Sequence, residues 1–480
     1  MALQRFQAPG RRTILAVALW SLLCGSSPAQ SVGSAVVLTD PDLQHAVALR
    51  EQGLKDELAY ELVSSLVTEV GARAAGSEGD AKAVAWALAR LKALGFANVR
   101  AEPVSLKAWR RGQAHAHITA PFPHPLVITA LGNSVATPGA SLHAEVAYYS
   151  DLAQLRADAS DRARGRIVFI DQKTDRSRDG SGYGRAVAAR SQGAVEAGKR
   201  GAVAVAIRSI GTGSNRLAHT GAMRYDPGVA PIPALAVSGP DADLIARLVG
   251  HGQPVKMHLA VAAEGGLDAL SHNVIAEVVG TDAGQEVVMI GAHLDSWDVG
   301  HGAVDDGAGV GIVVAAAKKI LDGAVRPRRS IRVVLFANEE NGFSGALAYS
   351  EKYKNQPHQL VAESDFGAGK VWRFGSQVRA PALPVVAQIA ELLAPLGIAA
   401  GDNRAGSGPD AAFIQRRTRF ASLTLFQDGS DYFDWHHTDN DTLDKVDKAS
   451  LPQNVAAWAV MAFLAAQAPV SFGPLPPAQP

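Results

Sequence analysis

The chain has 480 residues, 47% hydrophobic and 19% charged, the profile of a folded globular protein rather than a disordered or fibrous one. Lys+Arg and Asp+Glu balance at 46 each, so no basic field is present to attract nucleic acid. The length exceeds what one core holds, and roughly two to three domains are expected.

At the start, Arg5, Arg11 and Arg12 precede an apolar run over residues 14–23 and then "CGSSPAQS". That layout predicts a secretory signal segment over residues 1–29, cut after Ala29, and a secreted or periplasmic location. Its apolar run is about ten residues, half of the ~20 a bilayer span needs, so stable membrane anchoring is not expected. The paired arginines of "GRRTIL" also fit export in the folded state. The one cysteine, Cys24, lies in that segment. Without it the chain has no disulfide, no cysteine nucleophile and no thiolate metal ligand.

Residues 30–125 include "GSEGDAKAVAWALARLKALGF", where Ala81, Val84, Leu88 and Leu91 recur at helical spacing. Ser77 with Asp80 three residues on resembles a capping box, and Gly95 suits the C-terminus. Extended "ANVRAEPVSL" follows. Over residues 126–265, short apolar strands ("EVAYYS", "GRIVFID", "AVAVAIRS", "IPALAVS") alternate with helical or glycine-rich stretches, as in a self-contained insert. Glycine-rich "RDGSGYG" and "IGTGSN" read as surface loops, since neither follows a strand and opens a helix as a phosphate cradle does. Residues 266–470 are more regular. "NVIAEVVG", "EVVMIGAHLDS", "SIRVVLFAN" and "FASLTLFQ" are near-continuous apolar strands, expected where both faces of a sheet are covered. Helical "GVGIVVAAAKKIL" and a short apolar helix near 455–466 lie between or after them. The fold class is α/β with a mostly parallel sheet. Residues 471–480 read as a loose tail, and no internal repeat is visible.

Ligands in such sheets gather at the carboxyl ends of the strands. Those ends hold His293 and Asp295, then Asp305 and Asp306 before a helix, Glu339 and Glu340, Glu363 and Asp365, and His436, His437, Asp439 and Asp441. Crowded carboxylates repel, and cations relieve the repulsion. His, Asp and Glu without thiolates suit zinc, with manganese or cobalt as substitutes. Three carboxylates around two divalent ions leave about +1, which one hydroxide neutralises. His301, His358 and every histidine before His293 are taken as ordinary core or surface groups. His436 is expected to pack beside the ligands, and Asp306 to cap a helix.

"GAHLDSWDVGHGAVDDGAG", "FANEENGFSGA", "ESD" and "HHTDNDT", in this order, resemble the co-catalytic dizinc exopeptidase family that includes bacterial leucyl aminopeptidases. "RAAGSEG" and "PQNVAAWAV" extend the likeness over nearly the whole chain after the signal segment. The resemblance implies a zinc-exopeptidase (phosphorylase/hydrolase-like) α/β/α sandwich, with an inserted protease-associated domain at 126–265. It implies two zinc ions bridged by Asp305, one completed by Glu340 and His437, the other by His293 and Asp365. Glu339 is then the general base, and Asp295 orients His293. A cis peptide is implied at Asp305–Asp306. Small peptides are the implied substrates, cut as a dipeptidase, carboxypeptidase or aminopeptidase. Loops 401–410 and 427–435 are expected to shape the pocket, with Asp410 and Tyr432 as candidate contacts. The insert is a candidate for recognition or homodimer contacts. Two other readings share the fold: a one-zinc glutaminyl cyclase and a receptor-like binding protein without a working site. A serine hydrolase is excluded, because "GFSGA" brings its second glycine one position too early for a nucleophile elbow.

Overall fold

In the computed structural model, which describes residues 37–282 and 286–476, fourteen strands form one continuous hydrogen-bonded network, made of two sheets that share strand Leu142–Tyr149. The expected signal segment lies outside the described residues. At the centre of one half, Ser422–Gln427, His358–Glu363, Val287–His293 and Ile331–Phe336 lie side by side and parallel. Val371–Gln377 borders them antiparallel on one side and Lys256–Val278 on the other. The expected parallel sheet is therefore parallel at its centre and mixed at its edges.

Successive residues of a strand face opposite sides, and here they enter two separate cores. Val288, Ile290, Ala292, Val333, Leu335, Leu360 and Ala362 join one, while Met289, Val334, Phe336 and Val361 join the other. Helices Ala308–Leu321 and Leu451–Gln467 cover the first face, and Ser344–Tyr353 and Pro409–Thr418 the second. Two-sided burial is why these strands read as unbroken apolar runs. The small-residue helix Ala308–Leu321 packs closely on Leu58–Glu69. A Cβ on Gly311 would lie 2.6 Å from the Ala59 carbonyl oxygen.

A long antiparallel ribbon, Ala97–Ala120 with Lys256–Val278, leads to the other half. There Leu142–Tyr149, Ile167–Ile170, Ala204–Arg208 and Ala234–Val237 are mutually parallel, with cores of their own. The segment expected at 126–265 thus contains a separately cored sheet. Its expected edges fall inside the strands His124–Leu126 and Lys256–Val278, because the ribbon carries the chain across without a linker. The loose tail begins later than expected. Phe472 is fully buried, and its N–H donates to the Gln359 side chain at 3.1 Å.

Candidate metal centre

The four central strands run the same way, so their carboxyl ends meet at one edge. His293 and Glu363 are the last residues of their strands. After Phe336 the chain turns at Asn338, φ 61°, and presents Glu339 and Glu340. Asp305 and Asp306, joined by a cis peptide as expected, precede helix Ala308–Leu321. The loop after Ser422–Gln427 passes through helix Tyr432–Trp435 to His436 and His437.

Asp305 is the hub. Its Oδ1 is 3.1 Å from His293 Nε2, and its Oδ2 is 3.2 Å from His437 Nε2 and 3.6 Å from His436 Nε2. Glu340 Oε2 lies 3.0 Å from His437 Nε2, and Asp365 Oδ1 lies 3.6 Å from His293 Nε2. All five ligand-type residues expected from the sequence are brought together. Both imidazoles turn Nε2 inward because Nδ1 is engaged elsewhere. His293 Nδ1 is 3.0 Å from the Asp295 carbonyl oxygen, and His437 Nδ1 is 3.2 Å from the Thr220 carbonyl oxygen. Such a carbonyl partner fixes the tautomer that leaves Nε2 free for a metal. The Asp295 carboxylate stands farther off, 3.8 Å from His293 Nδ1, and instead accepts the Glu339 N–H at 3.1 Å.

Asp306 accepts the N–H groups of His293 (3.1 Å) and Gly309 (3.0 Å), the capping part expected of it. A Cβ on Gly309 would lie 2.3 Å from Asp306 Oδ1, which accounts for the second glycine of "DDGAG". Asp441 accepts the N–H groups of Val304 (2.6 Å) and Asp305 (3.2 Å) and so holds the hub's turn. His436 comes closer to the hub than packing alone demands, its ring stacked 3.4 Å from that of His437. Asp410 is fully buried beside Glu363, with neither carboxylate oxygen hydrogen-bonded. Tyr432 is buried against His436. His358 is a core group bonded to Tyr349 at 2.8 Å, and His301 is exposed.

The electrostatics are those of an acid cluster awaiting positive charge. Burial drives Glu340 up to about 7, with Asp305 adding to it, and drives Glu363 up to about 8 with Asp365 adding. Burial also holds Glu339 well above the usual carboxylate range. Burial opposes the ionised form of Asp305 too, but hydrogen bonds from His293 and His437 outweigh it and keep this group well below that range. Burial disfavours the charged form of His437, yet Glu340 and Asp305 raise it to about 9. Three overlapping sets, His293–Asp305–Glu340, Asp305–His436–His437 and His293–Asp306–Asp365, bring their donor atoms within 4.8 Å of one another. Glu340 Oε1 and Asp295 Oδ2 are buried without a hydrogen-bond partner. Imidazole and carboxylate donors with unsatisfied oxygens fit zinc.

Several residues that shape this centre carry no local sequence signal. Buried Arg73 donates to the carbonyls of Leu294 (2.5 Å), His301 (2.7 Å) and Gly302 (2.8 Å), bracing both loops around His293 and Asp305. Residues in and beside the glycine-rich stretches clamp the His437 loop, and "RDGSGYG" is not wholly the loop expected, because helix Ser181–Lys199 opens inside it. Arg176 pairs with Asp431 and Asp434, Arg178 pairs with Asp428, and Thr212 bonds Asp434. His437 itself sits at φ 62°, a conformation uncommon for a non-glycine residue, with its carbonyl accepting the Thr220 N–H at 2.9 Å. These partners lie more than 200 residues away in the chain.

Residues 273–462 match the model of peptidase family M28. The chain is 35% identical to mouse carboxypeptidase Q over 88% of each protein. It is 48% identical to a peptidase M28 precursor from Shewanella amazonensis whose crystal structure is known, with a TM-score of 0.89 over 91% of this chain and 99% of that one. A zinc aminopeptidase from Bacillus subtilis shares the fold at 16% identity, with a TM-score of 0.59 over 84% of this chain and 94% of that one.

Proposed function

The chain belongs to peptidase family M28 and is a metallopeptidase, and from that premise we propose that it is a dizinc exopeptidase hydrolysing small peptides. The observation that carries the reading is Asp305, whose two carboxylate oxygens face two different imidazoles, each with a further acid beside it. In this reading Asp305 would be shared between two zinc ions, with Glu340 and His437 available to hold one and His293 and Asp365 the other. Such ions, when bound, polarise the scissile carbonyl and acidify water.

Glu339 is the general base. It borders the centre, keeps partial access to solvent, and is aimed by the hydrogen bond from its own N–H to Asp295. Its carboxylate takes a proton from the attacking water as the C–O bond forms, then passes it to the amine nitrogen as the C–N bond breaks. Without bound metal, burial and neighbouring acids favour the protonated form of Glu339; positive charge at the centre would oppose this and favour the ionised carboxylate that accepts the first proton.

Likeness to carboxypeptidase Q over most of the chain supports a dipeptidase or carboxypeptidase. A second reading, aminopeptidase, is supported by 27% identity to leucine aminopeptidase 2 of Arthroderma otae over 58% of this chain and 50% of that protein. We also read the separately cored sheet as a protease-associated domain, and the chain as exported. No helix among the described residues is long and apolar enough to cross a membrane. The deciding experiment is a panel of free dipeptides, N-acetylated peptides and C-amidated peptides, with and without added zinc. Cleavage of N-blocked peptides identifies a carboxypeptidase; cleavage restricted to free N-termini identifies an aminopeptidase or dipeptidase. Failure to hydrolyse any of them with zinc present defeats the proposal. One zinc per chain instead of two favours the cyclase arrangement.

A further inference from the structure

In the ribbon strand Ala97–Ala120, the stretch "AWRRGQA" does not pair evenly. Its register against Lys256–Val278 shifts between Ala108 and Trp109 and again between Arg111 and Ala114. Such irregularities bend a strand and re-aim its side chains. Arg111 emerges from this one with every N–H engaged. Nε and Nη2 hold the two carboxylate oxygens of Asp298 at 2.8 and 2.9 Å. Nη1 donates to the Thr129 hydroxyl at 2.9 Å and to the Ala130 carbonyl, and Nη2 donates to the Thr220 hydroxyl at 2.9 Å. The guanidinium also lies over the Trp109 ring at 4.8 Å and the Trp297 ring at 5.9 Å.

We propose that Arg111 is a positioning residue for His437. It ties Thr220 to the Asp298 loop and so keeps the Thr220 carbonyl on His437 Nδ1 and Nε2 turned to the metal centre. The inference rests on the dizinc reading above. His293 finds its Nδ1 partner two residues on, at Asp295, but the partner of His437 is 217 residues away and has to be held in place. Thr220 lies in the loop between Ala204–Arg208 and Ala234–Val237. Its N–H donates to the His437 carbonyl at 2.9 Å, and its carbonyl lies 3.2 Å from His437 Nδ1. This bracket holds His437 at φ 62°, a conformation that persists only where the surroundings over-determine it. The Thr220 hydroxyl gives its proton to the Ala130 carbonyl at 2.9 Å, so a lone pair faces Arg111. Arg190 Nη1 reaches the Thr220 carbonyl only at 3.4 Å, beyond the usual hydrogen-bond range. A lysine at 111 would carry the same charge without the planar fork that reaches Asp298, Ala130 and Thr220 together.

The test is the Zn2+ affinity of the full chain, measured by competition with a chelator at pH 7.5, for wild type, Arg111→Lys, Thr220→Val and Thr220→Ser. Wild type is expected to hold two ions; fewer overturns the dizinc reading and this inference with it. Arg111→Lys and Thr220→Val should each hold one ion as wild type does and the other at least tenfold more weakly, the scale of a lost outer-shell partner. Thr220→Ser keeps the hydroxyl and should bind both ions as wild type does. Because the two changes break one shared contact, the losses in Arg111→Lys/Thr220→Val should fall short of their sum. With two ions on wild type, unchanged affinity in either single variant, equal weakening of both ions, or fully additive losses overturns the proposal alone. If Arg111→Lys melts early, the contrast between Thr220→Val and Thr220→Ser decides: equal affinities overturn the proposal.

Discussion

Asp171 and Asp365 each follow a buried parallel strand, one in each half of the chain, yet the two sheets treat their acids differently. In the second sheet, the Asp171 carboxylate receives Arg208 Nε at 2.6 Å and the Tyr148 hydroxyl at 2.7 Å, and Arg208 goes on to Asp243 at 2.6 Å. The chain supplies its own cation. Around Asp305, Glu340 and Asp365, among the described residues, no lysine or arginine forms an ion pair with any of them; buried Arg73 spends its hydrogen bonds on carbonyls, and buried Arg190 faces the Thr220 carbonyl and His437 Nδ1 rather than an acid. An acid at a strand end thus signals a metal centre only where the fold withholds its own positive charge. Buried ions without partners are too costly to persist otherwise.

The strongest way to break this contrast is Glu340→Ala. It removes a carboxylate from one side of the hub, and the expected result is loss of about one zinc per chain together with nearly all turnover. Elemental analysis decides, and full zinc retention would mean that cations do not hold the acid edge. Glu339→Gln comes next. It should keep both ions but lose about 10²–10⁴ in turnover, and near-normal kcat in a zinc-replete variant would remove Glu339 from its proposed part.

A third test uses pH. In the metal-free protein, burial lifts Glu340 and Asp441 to about 7 and Glu363 to about 8. The folded chain then keeps protons that the unfolded chain releases near pH 4, so stability falls as pH rises through that interval. His437, raised to about 9, acts in the same direction: its contribution is complete below about 6.5 and is lost toward 9. Zinc displaces these protons, so the gap in Tm between zinc-loaded and chelator-stripped protein should widen from pH 5 to pH 8. A gap that narrows over that range contradicts the acid-cluster picture.

The comparison also explains what the sequence could convey. His293, Glu340 and Asp365 were legible because each closes an apolar strand, and Asp305 because it opens a helix at the same edge. Their spacing is local, and strand polarity does the rest. Thr220, Arg73 and the arginine clamps on the His437 loop were not legible, because nothing near them in the chain marks their partners. Asp171 had the signature of a strand-end acid too; only its three-dimensional neighbour Arg208 separates it from the ligand class. Phe472 sits in a proline-rich stretch that composition alone reads as loose.

The smallest expected effect tests the half that supplies its own charge. Asp171→Ala leaves Arg208, whose side chain is only 10% exposed, with the half-exposed Asp243 as its remaining acid. Breaking a fully buried pair costs about 3–5 kcal/mol. The surviving partner and the Gly239 carbonyl at 3.1 Å reduce that to about 1–3 kcal/mol, the range for a lost charged hydrogen bond. The denaturant midpoint should fall accordingly, while zinc content and turnover stay at wild-type values. Tyr148 provides an internal control. Burial first, and Asp171 second, push its phenol up to about 12, so removing Asp171 should lower its ultraviolet titration midpoint while burial keeps it above 10. If Asp171→Ala instead loses zinc, the two strand-end acids are not separate in kind, and the distinction between self-neutralised and metal-neutralised edges fails.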